Sequence, residues 1–84
     1  MNFVCTPEER KQEVADLLKE LKVPYEFMGN TRIKIFGKSD IFGEFLVTGH
    51  VNVYKYSRDL KRDVRKHRLA TMKAIESYMR KHAI

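Results

Sequence analysis

The chain of 84 residues is poor in the features that mark disulfide-rich, metal-binding and membrane proteins. It has one cysteine and no tryptophan, and no apolar run long enough to cross a membrane. A lone Cys5 cannot form an internal disulfide, which is typical of a reducing compartment. Three histidines at no recognised ligand spacing predict neither a zinc site nor another metal or cofactor. The start of the chain lacks the pattern of a secretory signal, so we expect a cytoplasmic protein without membrane contacts.

The chain does contain enough apolar residues for one small core. Hydrophobic residues make up 43% of the sequence and charged residues 33%, a composition unlike that of disordered chains. A chain this short cannot support two independent cores, because small domains bury only a limited share of their surface. We therefore expect one domain over residues 1–84.

Positive charge is concentrated in the carboxy-terminal half. The net charge is +6, yet residues 1–44 have seven basic and eight acidic side chains, whereas residues 45–84 have ten and three. Such asymmetry predicts a one-sided positive field, which attracts a polyanion or an acidic protein surface.

A helix is predicted close to the amino terminus. Thr6 can cap it, Pro7 suits its first turn, and Glu9 completes a capping box. An apolar stripe with the spacing of one helix face follows, and Pro24 ends the pattern, so the helix should end near Lys22. The stripe consists of Val14, Leu17, Leu18 and Leu21.

Two strands are predicted around a tight turn. Residues 25–28 and 31–36 flank Gly29-Asn30, a dipeptide that tolerates the positive φ angles of a hairpin. Apolar and charged residues alternate in the second strand, so Arg32 and Lys34 should lie on its outward face. They extend a basic surface if that face adjoins the closing helix, and otherwise they protect a sheet edge.

A third strand is predicted over residues 41–48, after a turn at residues 37–40. Gly49 interrupts this pattern. Val51 and Val53 alternate with polar neighbours, which fits either a continuation of the third strand after a bulge or a separate fourth strand.

One long helix is predicted to close the chain, from about residue 58 to 82, with a length of about 37 Å. No Gly or Pro follows Ser57, which can cap the helix with Asp59 in its first turn. Such a helix is long for so small a domain. Either it bends near His67-Arg68, or its distal half rests on a second copy of the chain in a homodimer.

Together these elements predict an α+β fold. Its order is a helix, an antiparallel sheet of three or four strands and a long carboxy-terminal helix. Both helices can cover one face of the sheet and leave the other wet, in a single layered domain.

A basic helix face is the main candidate for binding. Residues 55–68 hold seven of the seventeen Lys and Arg residues and two of the eleven acidic residues. On a helix, the four cations Arg58, Arg62, Arg65 and Lys66 would lie opposite Leu60 and Val64, at spacings that reach successive phosphates, and Lys61 lies beside them in the sequence. Unpaired like charges repel one another, which favours a polyanion or acidic partner over a merely solvated face. The candidate residues are Arg58, Lys61, Arg62, Arg65 and Lys66.

Two tyrosines precede the basic stretch. Tyr54 and Tyr56 can stack bases, as aromatic side chains do in proteins that bind single strands. Their alternation with Val53 and Lys55 is equally typical of a half-exposed strand, and packing of the rings in the core or at its rim is the favoured interpretation.

His50 is the candidate for catalysis. It lies in Thr48-Gly49-His50 near the expected bulge, where Glu44 or Tyr54 would orient it. A single histidine without a demonstrated partner is more often structural, so the sequence favours a protein that is not an enzyme.

The predicted order α-β-β-β-α with a basic closing helix resembles HicA-type mRNA interferases and double-stranded-RNA-binding domains over residues 6–80. The resemblance implies binding of RNA or DNA. HicA-type toxins have a histidine in a Gly-Ser-His-like motif where this chain reads Gly29-Asn30-Thr31, so the resemblance implies binding without that nuclease residue. The phosphate contacts that it implies would come from Lys61, Arg62, Arg65 and Lys66.

The leading hypothesis from the sequence is a small non-enzymatic nucleic-acid-binding domain. One alternative is a protein-interaction module, similar to phage-encoded inhibitors that bind a host protein, in which the same cations meet an acidic surface. The other is a HicA-like ribonuclease that uses His50. RNA and DNA stay open as partners.

Overall fold

The computed structural model describes residues 4–57 and 62–84, and the side chains of residues 4–55 and 67–84. Two helices flank five strands, which confirms the α+β class. The helices are α1 (Pro7–Glu20) and α2 (Met72–His82), and the strands are β1 (Tyr25–Met28), β2 (Arg32–Phe36), β3 (Asp40–Phe45), β4 (Val51–Ser57) and β5 (Arg62–Leu69). Within these described ranges, neither helix is long and apolar enough to span a membrane.

Helix α1 begins and ends where the sequence predicts. The Thr6 hydroxyl accepts from the backbone N–H of Glu9 and donates to the Glu9 carboxylate, each at 3.1 Å. After Glu20 the chain leaves the helix, and Lys22 adopts a left-handed φ of 59°. This conformation turns the chain towards the sheet.

The five strands form one antiparallel sheet in the order β1-β2-β3-β4-β5. The predicted turn between β1 and β2 is confirmed, with Gly29 at a φ of 71°. Strand β3 ends at Phe45, and Gly49 at a φ of 88° lies in the loop before β4. Residues 51–57 are therefore a separate fourth strand, which decides between the two interpretations of that segment.

The prediction of a long carboxy-terminal helix is wrong in its first half, because residues 62–69 form strand β5 beside β4. Helix α2 begins only after Thr71, whose hydroxyl accepts from the backbone N–H of Ala74 at 3.1 Å. Arg and Lys have good helix propensity, but propensity is a weak preference that pairing with a neighbouring strand overrides. With 11 residues, α2 is too short to require a bend at His67-Arg68 or support from a second copy.

The strand count also changes the predicted layout. Five strands, rather than three or four, lie between the helices. The resemblance to HicA-type toxins and double-stranded-RNA-binding domains depended on an α-β-β-β-α order, and the five-stranded sheet departs from that order.

The core lies between the two helices and one face of the sheet. Alternate residues of β2, β3 and β4 are buried there, as the period of two requires. The covered face consists of Ile33, Ile35, Ile41, Phe45, Val51 and Val53, and the helices contribute Val14, Leu17, Leu18, Ile75 and Met79.

A buried arginine fastens α1 to this assembly. Arg10 is 4% exposed, and its Nε donates to the carbonyl oxygen of Gly49 at 2.9 Å. Its Nη2 donates to the carbonyl oxygen of Ala70 at 2.7 Å. The guanidinium therefore joins α1 to the β3–β4 loop and to the junction of β5 and α2.

Candidate nucleic-acid interface

The face of the sheet opposite the core carries aromatic and charged side chains. Strand register places Lys34 opposite Phe42, and Phe42 opposite Tyr54, so these three residues form one row across β2, β3 and β4. Cross-strand partners share a sheet face, and none of the three is buried. The row therefore lies on the face that the helices leave uncovered.

The rings of this row are in direct contact. Phe42 and Tyr54 stack with their centroids 5.5 Å apart and their planes at 15°. Lys34 Nζ lies 5.6 Å from the centroid of Phe42 and 5.0 Å from that of Phe36, which is 40% exposed. Both distances are those of cation–π contacts. We call Lys34, Phe36, Phe42 and Tyr54 the sheet-face cluster.

Charges of both signs surround the cluster. Arg32 Nε lies 4.0 Å from a carboxylate oxygen of Glu44, its cross-strand partner, and both side chains are well exposed. Such an exposed pair contributes little to stability. By register, three cations and three carboxylates with described side chains belong to this face: Arg32, Lys34 and Arg68 against Glu26, Asp40 and Glu44.

Strand β5 continues the row at a β-bulge. Val53 pairs with His67 and Lys55 pairs with Val64, so two residues of β5 lie opposite the single residue Tyr54. The two residues are Arg65 and Lys66. The register therefore places the backbone of two predicted binding residues next to that of Tyr54, at one end of the sheet-face cluster.

The predicted binding residues have different outcomes. Arg32, Lys34 and Tyr54 share the open face, as the alternation in the sequence predicts for the first two. Arg58 and Lys61 lie outside the described residues. Tyr56, Arg62, Arg65 and Lys66 lie on strands, so a helical row of cations is wrong, and their side chains lie outside the described part.

Two members of the cluster, Phe36 and Phe42, are not among the residues that the sequence predicts for binding. The sequence places Phe36 in a strand, at the outward position that follows Arg32 and Lys34. Phe42 lies in the predicted third strand, where Glu44 is the one charged residue between Ile41 and Val47 and apolar residues do not alternate with polar ones. Two observations together identify Phe42 as an outward residue. In β2, Lys34 and Phe36 alternate with the buried residues Ile33 and Ile35, and the pairing of β2 with β3 places Phe42 opposite Lys34.

His50 lies in the loop before β4 and is half-buried. Its Nδ1 is 2.7 Å from the hydroxyl oxygen of Thr48, a partner that the sequence does not predict. A hydroxyl partner fixes the orientation of the ring, and the catalytic role of His50 stays a prediction. Among the residues with described side chains, no group of three His, Cys, Asp or Glu residues is placed to hold a metal ion.

Exposed rings beside an ammonium group form a surface that can hold a flat base and a phosphate. Stacking on aromatic side chains tolerates any base, because each base has a π face.

Comparison with models of protein families, with curated proteins and with solved structures finds no match to this chain.

Proposed function

We propose that this protein is a non-enzymatic domain that binds single-stranded nucleic acid on the open face of its sheet. The chain acts as one layered domain, with the helices behind the sheet and the sheet-face cluster in front. The observation that carries the proposal is the array in which Lys34 lies against two rings and Tyr54 stacks on the second.

The rings supply most of the affinity in this proposal. A base that stacks on an aromatic side chain contributes about 1–3 kcal/mol. The stack of Phe42 on Tyr54 holds two rings in place before binding, so little side-chain entropy is lost when a base is added. The exposed ring of Phe36 offers a further stacking surface, with Lys34 beside it for the phosphate.

Charge supports the proposal from the β4–β5 side of the sheet. The described charges of the open face balance, but residues 51–69 contain seven basic and two acidic side chains in sequence. Phosphates that follow bases across β3 and β4 would approach this basic segment. An acidic protein surface would use the same cations, but it would not require three aromatic side chains on the outward face.

Binding of a labelled single strand of about 12 nucleotides, followed by fluorescence anisotropy, tests the proposal with RNA and DNA in parallel. Phe36→Leu and Phe42→Leu keep apolar bulk but remove the ring, and each should weaken binding about tenfold, or ~1.4 kcal/mol. Phe27→Leu is the matched control, because Phe27 is 39% exposed and lies outside the cluster.

Salt dependence tests the role of Lys34 separately. Lys34→Gln should lower the slope of log affinity against log salt by about 0.7, the value for one phosphate contact on a single strand. Lys19→Gln changes the net charge equally on an exposed position of α1 and should leave the slope unchanged. The proposal fails if the wild-type protein binds neither strand, or if the control variants lose as much affinity as the cluster variants.

A further inference from the structure

A second cationic site lies on the helix side of the sheet. Strands β4 and β5 and helix α2 enclose a groove of about 460 Å³. Lys55 and His67 reach it from the strands, and Tyr78, Lys81 and His82 reach it from α2. The groove is separate from the sheet-face cluster, because Lys55 pairs with the inward residue Ile41.

The aromatic side chains of the groove are packed together. The ring of Tyr78 lies between two imidazoles, with centroids 5.8 Å from His67 and 4.5 Å from His82. Tyr78 and His82 are four residues apart, so they lie on one side of α2, while Ile75 and Met79 face the core. One helix face thus lines the groove and the neighbouring face anchors the helix.

Basic groups dominate the groove, and none of its lining residues with a described side chain is acidic. The pKa of the His82 imidazole is lowered, first by partial burial and then by repulsion from basic groups around it. These groups are Lys55, Lys81, Lys38 and His67. Burial raises the pKa of the Tyr78 hydroxyl, which therefore stays protonated and can donate a hydrogen bond.

Helix electrostatics explain only part of this arrangement. Cations in the last turn of α2 complement the helix dipole, as Arg80 and Lys81 do. On the outward side, Arg80 pairs with Glu76 one turn earlier at 3.0 Å. The corresponding residue before Lys81 is Ser77, which lines the groove. The helix dipole also does not explain why Lys55 of β4 lines the same groove as Lys81.

We propose that this groove binds a phosphate monoester, with Lys55 and Lys81 holding the phosphate and Tyr78 donating a further hydrogen bond. Its volume lies within the range of about 300–1,000 Å³ that small-molecule sites occupy. Leu69 supplies an apolar wall for the organic part of the ligand. The phosphate belongs either to a free nucleotide or to the 5′ end of an oligonucleotide.

Side-chain NMR of His82 during titration with inorganic phosphate and with adenosine 5′-monophosphate tests the proposal at constant ionic strength. The bound anion should raise the pKa of His82, because it offsets the repulsion from the surrounding cations. Adenosine without phosphate should not. The double variant with Lys55→Gln and Lys81→Gln should bind at least about tenfold more weakly. Lys73→Gln is the control, because Lys73 is an exposed residue of α2 outside the groove.

The source of the phosphate is distinguished by comparing 5′-phosphorylated and 5′-hydroxyl oligonucleotides of one sequence. A preference for the phosphorylated strand that the double lysine variant loses assigns the groove to strand ends, whereas saturation by the mononucleotide alone assigns it to free nucleotides. Equal responses of His82 in the double variant and the wild type, or no saturable response to any phosphate, would overturn the proposal. Phe42→Leu should leave the groove unaffected, so failure here and failure of the sheet-face proposal are distinguishable.

Discussion

The two faces of the sheet are built from the same strands but have opposite chemistry. On the covered face the buried side chains of β2, β3 and β4 are aliphatic apart from Phe45, and they pack against α1 and α2. On the open face, Phe36, Phe42 and Tyr54 replace the polar residues that a merely solvated face would have. A protein can satisfy its fold with the first face alone. The rings of the second face are therefore the part that calls for a function.

Neighbouring residues of β2 give the strongest test of this contrast. Ile35 is 0% exposed and its neighbour Phe36 is 40% exposed. Ile35→Ala should lower the free energy of unfolding by about 4 kcal/mol, because it leaves a cavity in the core. Phe36→Ala removes a larger side chain but should cost only about 1 kcal/mol, because solvent fills the space. Urea denaturation measures both, and equal costs would contradict the assignment of the two faces.

The attachment of α1 to the covered side provides a second test. Gly49 has a φ of 88°, and a Cβ there would lie 2.8 Å from the nitrogen and the Sγ of Cys5 and closer still to its carbonyl oxygen. Gly49→Ala should cost about 3 kcal/mol, since backbone strain and overlap add.

Gly29→Ala is the matched control for this overlap. Gly29 has a similar φ of 71°, but no atom lies within 4 Å of the Cβ position. The substitution should cost about 1 kcal/mol, which is the strain alone. Thermal denaturation compares the two variants, and a Gly49→Ala protein as stable as Gly29→Ala would show that the amino-terminal segment does not pack on the loop.

The start of α2 is tested by its cap. Thr71→Ala removes the hydroxyl that accepts from Ala74 and should cost about 1 kcal/mol of stability. Thr71→Ser keeps the oxygen and should restore most of it. If neither substitution changes the midpoint of urea denaturation, the helix does not begin after Thr71.

Acid should slightly lower the free energy of unfolding by protonating His82, which lies on the covered side of the sheet. The pKa of this residue is lowered in the folded state, so the unfolded chain binds more protons between the two pKa values. The contribution of His82 to stability is therefore lost as the pH falls through the unfolded value of about 6.5 towards the folded value. His82→Gln should flatten this part of the stability profile. If the dependence of stability on pH is the same in His82→Gln and in the wild type, the lowered pKa of His82 does not contribute to stability.

The sequence predicts the first half of the fold well because its signals there are local. Thr6 and Glu9 form a cap, and Gly29 forms a turn, whatever the rest of the chain does. Strand β5 depends instead on pairing with β4, and the bulge opposite Tyr54 breaks the alternation that would reveal a strand. Its basic residues suit a helix as well, so propensity could not correct the error.

The candidate site could be predicted only in part for a similar reason. Alternation in β2 correctly predicts that Lys34 lies outward. In β3 the inward position between Ile41 and Phe45 is Gly43, so the alternation of large residues is lost and the sequence does not distinguish Phe42 from a core residue. A Cβ at Gly43 would lie 2.9 Å from Cγ2 of Ile33, which fills this space from the next strand. That cross-strand relation cannot be read from either strand alone.

We propose that the bases of a single-stranded nucleic acid stack on the open face of the sheet and do not contact the buried core. The most direct test is an NMR titration of the labelled protein with a short unstructured oligonucleotide, observing ring protons and methyl groups together. We expect saturable shifts for the rings of Phe36, Phe42 and Tyr54 and none for the methyl groups of Ile35 or Leu18. Unchanged rings at saturating oligonucleotide, or shifts confined to the methyl groups of the core, would contradict the claim.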